Sequence, residues 1–205
     1  MIKISRLLVA SNNAGKIREI KHALSDMAGE ILSLEEAGIR ISPKETGQSY
    51  LENALIKARA AAAHWPGWIL SDDSGLEVDA LNGGPGIYSS RFAGETATDA
   101  ENNEEMIRRL SGVPEHKRTA RFRCVAVLMH GESGRTFTAE GTCEGLIRTV
   151  PRGKNGFGFD PLFFLPDLGR TLAELPFGDK MKISHRARAL TALKSLLQKQ
   201  APSSP

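Results

Sequence analysis

"RLLVASNNAGKIREIKHAL", Arg6 to Leu24, passes from an apolar run through a short polar loop into a segment that alternates apolar and charged residues. Ile17, Ile20 and Leu24 recur at i, i+3 and i+7, the stripe of an amphipathic helix, so the stretch reads as strand, loop and helix. The same alternation of types recurs downstream and predicts an α/β chain. The first helix is expected to stop near Gly29, and "EILSL" makes a second short strand. "SYLENALIKARAAAAHWPG" carries the clearest helical pattern, with Ser49 and Glu52 as a capping box and Pro66 ending it. Leu51, Leu55, Ala58 and Ala62 share one face of that helix, and Asn53 and Lys57, four apart, share another. "WILS" is a strand of four residues that runs into "DDSG". "TARFRCVAVLMH" and "RTFTAEGTCEGLI" flank the turn signal "GESG" and predict a hairpin of long strands, which makes the sheet mixed. "TDAENNEEMIRRL" reads as a surface helix, and "SHRARALTALKSLLQKQ" as an amphipathic one capped by Ser184.

With 205 residues and neither a repeat nor a compositional break, the chain is expected to be one domain, with 200–205 as a disordered tail. Cys124 and Cys143 lie in different segments without a CxxC or a His at ligand spacing, the pattern of reduced thiols. No apolar run approaches the roughly 20 residues of a membrane span, which points to a cytoplasmic protein without a membrane partner. The balance of 27 basic against 24 acidic residues gives a net charge of +3, evenly spread, which argues against a nucleic-acid partner.

Four clusters carry candidate chemistry. "SNNAGK", Ser11 to Lys16, fails the P-loop pattern because Ala10 stands at its first Gly and Ile17 at its Ser/Thr. What remains is a strand-to-helix turn with free N–H groups, a Lys and two Asn side chains, a setting that suits an anion. The same residues also read as an N-cap at Asn13 beside a solvated lysine. Lacking a Walker hydroxyl, a magnesium ion would need other oxygens. "SDDSG" offers Asp72 and Asp73 at a strand end, "KETG" offers Glu45, and Lys57 is within reach of it. "DDSG" as a plain turn stays open. In "GKNGFGFDP", Phe157 and Phe159 sit in a polar loop, where one packs inward and the other offers a stacking face, with Asp160 beside them. In "SHR", His185 and Arg186 place a basic pair against the helix dipole, either for a ligand or as exposed charges.

Taken in order, "SNNAGK", "KETGQSYLENALIKA", "SDDSGLEVDALNGGPGIYSSRFAG", "GFGFDPLFF" and "ISHRARAL" resemble the inosine triphosphate pyrophosphatase family, over residue 8 to about 190. The resemblance implies a long twisted mixed sheet with helices forming two lobes around a central cleft. It implies Mg2+-dependent hydrolysis of dITP, ITP and XTP to monophosphate and pyrophosphate, which clears these nucleotides from the pool. It also implies a homodimer. By it, Ser11, Asn12, Asn13, Ala14, Gly15 and Lys16 bind phosphate, and Lys57 adds positive charge. The family's catalytic acidic residue falls on Asp73, and Glu45 and Asp73, with Asp72 adjacent, are the metal carboxylates. Ser74 touches substrate and Arg91 reaches phosphate. Base and sugar contacts fall on Phe157, Gly158, Phe159, Asp160, Lys180, His185 and Arg186. Two positions depart from the family pattern: Phe159 stands where Tyr is frequent, and Lys44 stands where an acid is frequent. A module that senses a triphosphate without cleaving it, and a pyrophosphatase for other modified nucleotides, are the alternatives.

Overall fold

Apolar runs at the start of the chain become strands because both of their faces are covered. The computed structural model describes residues 4–199. In β1 (Ile4–Val9), Leu7 and Val9 join one core cluster while Leu8 joins another on the opposite face. A strand buried on both sides cannot alternate with polar residues, hence the unbroken "LLVA". The chain continues through α1 (Ala14–Ala23), β2 (Ala28–Ser33), α2 (Tyr50–Ala62), β3 (Trp68–Val78) and α3 (Asp99–Arg109). The hairpin β4 (Thr119–His130) and β5 (Thr136–Ile147) follows, then β6 (Phe163–Leu165), β7 (Arg170–Thr171), α4 (Phe177–Ile183) and α5 (His185–Lys199). The seven strands form one sheet in the order β2-β1-β3-β4-β5-β6-β7. β1 is parallel to β2 and β3, whereas β6 is antiparallel to β5 and β7, so the sheet is mixed as expected.

The chain divides into two compact units, the first made of residues through Asp73, Cys124–Gly141 and the segment from Arg186, the second of Ser74–Arg123 and Thr142–His185. In the first, one face of β1, β3 and β4 packs Leu7, Val9, Leu70, Ala126 and Leu128 against Ile20 and Leu24 of the α1 segment and Leu190, Leu193 and Leu197 of α5. On the other face, Ile69 meets Ala61 of α2, and Val127 and Met129 meet its Ala54 and Ala58. The second unit has its own core, in which Leu76, Met106, Phe122, Ile147, Phe159 and Phe163 are among the packed residues.

Several expectations change. The first helix ends at Ala23, capped by Leu24, and Gly29 lies inside β2, because pairing with β1 from Ile4↔Ala28 draws that residue into the ladder. Ser49 caps α2 by accepting from Glu52 N at 3.2 Å, but the Glu52 carboxylate takes Gln48 N, so the reciprocal box is not formed. The buried stripe of α2 is Tyr50, Asn53, Ala54, Ala58 and Ala61, rotated from the expected one; Leu51 is exposed. Asn53 and Lys57 therefore lie toward the protein interior. β3 is eleven residues long rather than four and carries "DDSG" within it, which overturns both the strand end and the plain turn. α4 was not foreseen. Ser184 sits extended between α4 and α5 and closes α4 by donating its N–H to Lys180 O at 2.9 Å. Cys124 and Cys143 are both buried and form no disulfide. Among the described residues no helix is long and apolar enough to cross a membrane. The expected tail, 200–205, lies outside the described residues.

Candidate active site

Alternation along β3 places two consecutive carboxylates in two different environments. Leu70 and Asp72 share the face covered by α1 and α5, and Ile69, Ser71 and Asp73 share the face covered by α2, where the Ser71 hydroxyl donates to Ala54 O at 2.7 Å. Both Asp72 and Asp73 are buried. A buried carboxylate needs donors or cations, and each face supplies its own.

On the first face Lys16 Nζ lies 3.1 Å from Asp72 Oδ2. Arg186 donates to the same oxygen from Nε and Nη2, both at 3.1 Å, and the Cys124 thiol approaches it at 3.7 Å. The third guanidinium nitrogen, Nη1, donates to Glu19 of α1, which is also buried. Asp72 Oδ1 is buried with no hydrogen-bond partner. Burial by itself pushes the Asp72 carboxyl up, but Lys16, Arg186 and Lys57 outweigh it and hold the group well below the usual carboxylate range. The Cys124 thiol goes the other way, raised by burial and by the neighbouring Asp72 charge.

On the second face Asp73 accepts from Asn53 Nδ2 at 3.2 Å and from Lys57 Nζ at 3.3 Å. Lys57 Nζ also lies 2.9 Å from Glu45 Oε1. Spacing of four residues on α2 brings Asn53 and Lys57 to one carboxylate, as their shared helix face predicts. Burial raises the Asp73 carboxyl above its ordinary value, against Lys57 and Lys16, with Glu45 and Asp72 adding to the rise. Burial lowers the Lys57 ammonium, but the carboxylates of Asp73, Asp72 and Glu45 more than restore it and leave it raised.

The loop before α1 is tied down by its own side chains. Asn13 caps the helix, its Oδ1 accepting from Lys16 N at 3.0 Å; Ser11 Oγ accepts from Asn13 N at 3.2 Å; Asn12 Nδ2 donates to Ile41 O at 3.1 Å. The capping reading of Asn13 therefore holds, and Lys16 is paired with Asp72 rather than solvated. The N–H groups of Ala14 and Gly15, in the first turn, have no acceptor within the helix.

The remaining expected residues belong to the second unit. Ser74 follows Asp73 in β3 and is half-buried. At Gly75 a Cβ would stand 2.1 Å from Gly86 O, so only glycine lets the "GPGIYSSR" segment dock there, with Ser89 Oγ accepting from Leu76 N at 2.8 Å. Arg91 in that segment stacks over Tyr88 at 5.0 Å and lies 3.7 Å from Glu95. In the glycine-rich loop Phe159 is buried in the core, edge-on to Phe92, while Phe157 is half-buried with Lys180 Nζ 4.8 Å from its ring centre. One ring packs inward and the other keeps a partly open face. Asp160 is buried and accepts from Lys180 and, at 3.0 Å, from Phe157 N. Gly156 has φ +77°, and a Cβ there would lie 1.9 Å from Asp160 Oδ2, so the loop closes around its own carboxylate only with glycine. Asp99 and Asn103 of α3 hold the Gly158 N–H and carbonyl at 2.6 and 2.9 Å. His185 is buried and stacks on Phe122, ring centres 4.7 Å apart. The exposed reading of "SHR" is overturned: His185 and Arg186 are both buried, and Arg186 is set against the helix dipole because Asp72 and Glu19 need its charge.

Glu45, Asp72 and Asp73 do not form one group. Among the described residues no three His, Cys, Asp or Glu side chains are disposed to hold a metal, because Asp72 faces the opposite side of β3 from Asp73. Glu45 and Asp73 do converge, on a single ammonium. Sequence reasoning missed Glu19, Cys124 as the neighbour of Asp72, and the Asp99 and Asn103 tethers. Glu19 had a signal: it lies three residues after Lys16 and one before Ile20, a carboxylate beside an apolar stripe.

The sequence model of the Ham1 family matches residues 7–196. A dITP/XTP pyrophosphatase of Haemophilus influenzae is 45% identical over 193 residues, 94% of this chain and 98% of that protein. One of Bacillus subtilis is 44% identical over 199 residues, 97% of this chain and 100% of that protein. The solved structure of a HAM1 protein from Coxiella burnetii superposes with a TM-score of 0.84 at 40% identity, covering 96% of this chain and 100% of that one. Agreement in sequence and in fold over nearly the whole length places this chain in the Ham1 family.

Proposed function

We propose that this protein hydrolyses the nonstandard purine nucleotides dITP, ITP and XTP or dXTP to the monophosphate and pyrophosphate. The observation that carries the reading is the pair of buried carboxylates at successive positions of β3, each facing a lysine, in a chain whose full-length relatives are dITP/XTP pyrophosphatases. Asp73 takes a proton from the water that attacks the α-phosphorus. Its burial, which raises the carboxyl, improves it as a base, and Asn53 fixes its orientation. Lys16 and Lys57 supply fixed positive charge for the triphosphate, and the N–H groups of Ala14 and Gly15 add donors at a helix N-terminus. Asp72 holds Lys16 in place, its carboxylate positioned in turn by Arg186. In the second unit Phe157 offers a face to a base, braced by Lys180 and Asp160.

Glu45 and Asp73 fit Mg2+ in chemistry, being two hard oxygen donors already converging on one positive charge, the Lys57 ammonium. When bound, the ion would neutralise charge developing on the phosphates. Clearance of these nucleotides from the pool, a cytoplasmic location and homodimeric assembly belong to the same proposal; the last is checked by sedimentation. Incubation with dITP, XTP and the four standard dNTPs tests the function, pyrophosphate and orthophosphate being measured separately. Pyrophosphate is expected from dITP and XTP, and is expected to vanish with EDTA and return with Mg2+. Orthophosphate alone would overturn the α-phosphorus chemistry, and no product at all would favour a sensor.

A further inference from the structure

A second charged site lies outside every residue assigned above. In the second unit Arg118, Arg148 and Arg152 line a cavity of about 120 Å³ together with Glu115, Thr149, Val150 and Phe164. Three arginines and one glutamate are among its lining residues. Arg148 Nη1 is bonded to Glu115 at 2.7 Å and the guanidinium lies over Phe164 at 4.0 Å, while its Nε is buried with no hydrogen-bond partner. Arg118 is held by Nε donating to Val113 O at 2.9 Å and Nη1 to Thr149 Oγ1 at 3.4 Å. Arg118 thus gives its donors to a carbonyl and a hydroxyl, and Arg152 lies near enough to Glu174 for its charge to lower that carboxyl. Like charges gathered at one cavity repel unless a counter-charge joins them, and a buried donor without an acceptor is costly.

We propose that this cavity binds a small tetrahedral oxyanion of orthophosphate size. The charge requires an anion, and the guanidinium fork matches oxyanion geometry. The cavity, about 120 Å³, has room for a small oxyanion. The site is independent of the pyrophosphatase reading.

Titration calorimetry with inorganic phosphate at constant ionic strength tests it, with folding of each variant verified by circular dichroism. Arg152 is exposed, so Arg152→Glu leaves the core untouched. Wild type and a Lys16→Ala variant are expected to bind phosphate at this site, and Arg152→Glu is expected to weaken that binding at least about tenfold, consistent with loss of a charge-assisted pair. Arg118→Lys, which keeps the charge but not the fork, should weaken it less. Equal binding by Arg152→Glu and wild type, or loss of all phosphate binding in Lys16→Ala, overturns the site. Equal affinity for acetate overturns the assignment to a tetrahedral oxyanion.

Discussion

In Asp73 the burial that raises the carboxyl and the lysine that opposes the rise act on the group proposed to take the proton. Asp73→Asn keeps the shape and removes the charge, so pyrophosphate release from dITP should fall by at least about 10²-fold with an unchanged circular dichroism spectrum. A variant retaining most of wild-type kcat would remove Asp73 from the mechanism. The acid limb of kcat/KM should lie above 3.8, the ordinary value for this carboxyl, and Lys57→Met should move it to still higher pH, since Lys57 favours the ionised form. Arg186 makes a different prediction because its partners are buried. Arg186→Ala removes the guanidinium that Asp72 and Glu19 share, leaving Lys16 on Asp72, and urea denaturation should show a loss of about 3–5 kcal/mol. A change below about 1 kcal/mol would mean that water replaces the guanidinium.

At the scale of elements, helix ends and strand faces decide where these side chains meet. α3 opens with a capping box in which Thr98 and Glu101 satisfy each other's backbone N–H groups, and the same helix holds Gly158 through Asp99 and Asn103. Thr98→Ala should cost about 1 kcal/mol of stability in urea. If the glycine-rich loop depends on α3, KM for dITP should rise in Asn103→Ala while kcat changes little. Capping, hairpin and helix signals were legible at this scale because their residue types act locally: Asn13 and Ser49 both cap as their sequence positions suggest. The length of β3 was not legible. "DDSG" carries turn composition, and only packing of Asp72 and Asp73 against cations on both faces lets an extended strand continue through it.

For the whole molecule, the carboxylates couple folding to pH. Asp72 is depressed below its ordinary 3.8, so its contribution is fully present above that value and is lost as pH falls through its folded-state value. Asp73 is raised, so the folded state holds its proton more tightly and stability declines as pH climbs from 3.8 through the raised value. Urea midpoints measured from pH 2.5 to 6 should therefore flatten on the acid side in Asp72→Asn, and an unchanged slope would assign acid unfolding to other groups. The sequence alone determined the α/β class, the hairpin, the family and the residue types of the site, because apolar period, turn chemistry and ordered motifs are written locally. Strand alternation by itself turns Asp72 and Asp73 to opposite faces; only the tertiary structure decided that β3 runs on through both, that Glu19 and Cys124 attend Asp72, and that Arg186 is buried. Those facts depend on which helix covers which face of β3, and that is settled by contacts between separate segments, from Asn53 with Asp73 to Arg186 with Asp72.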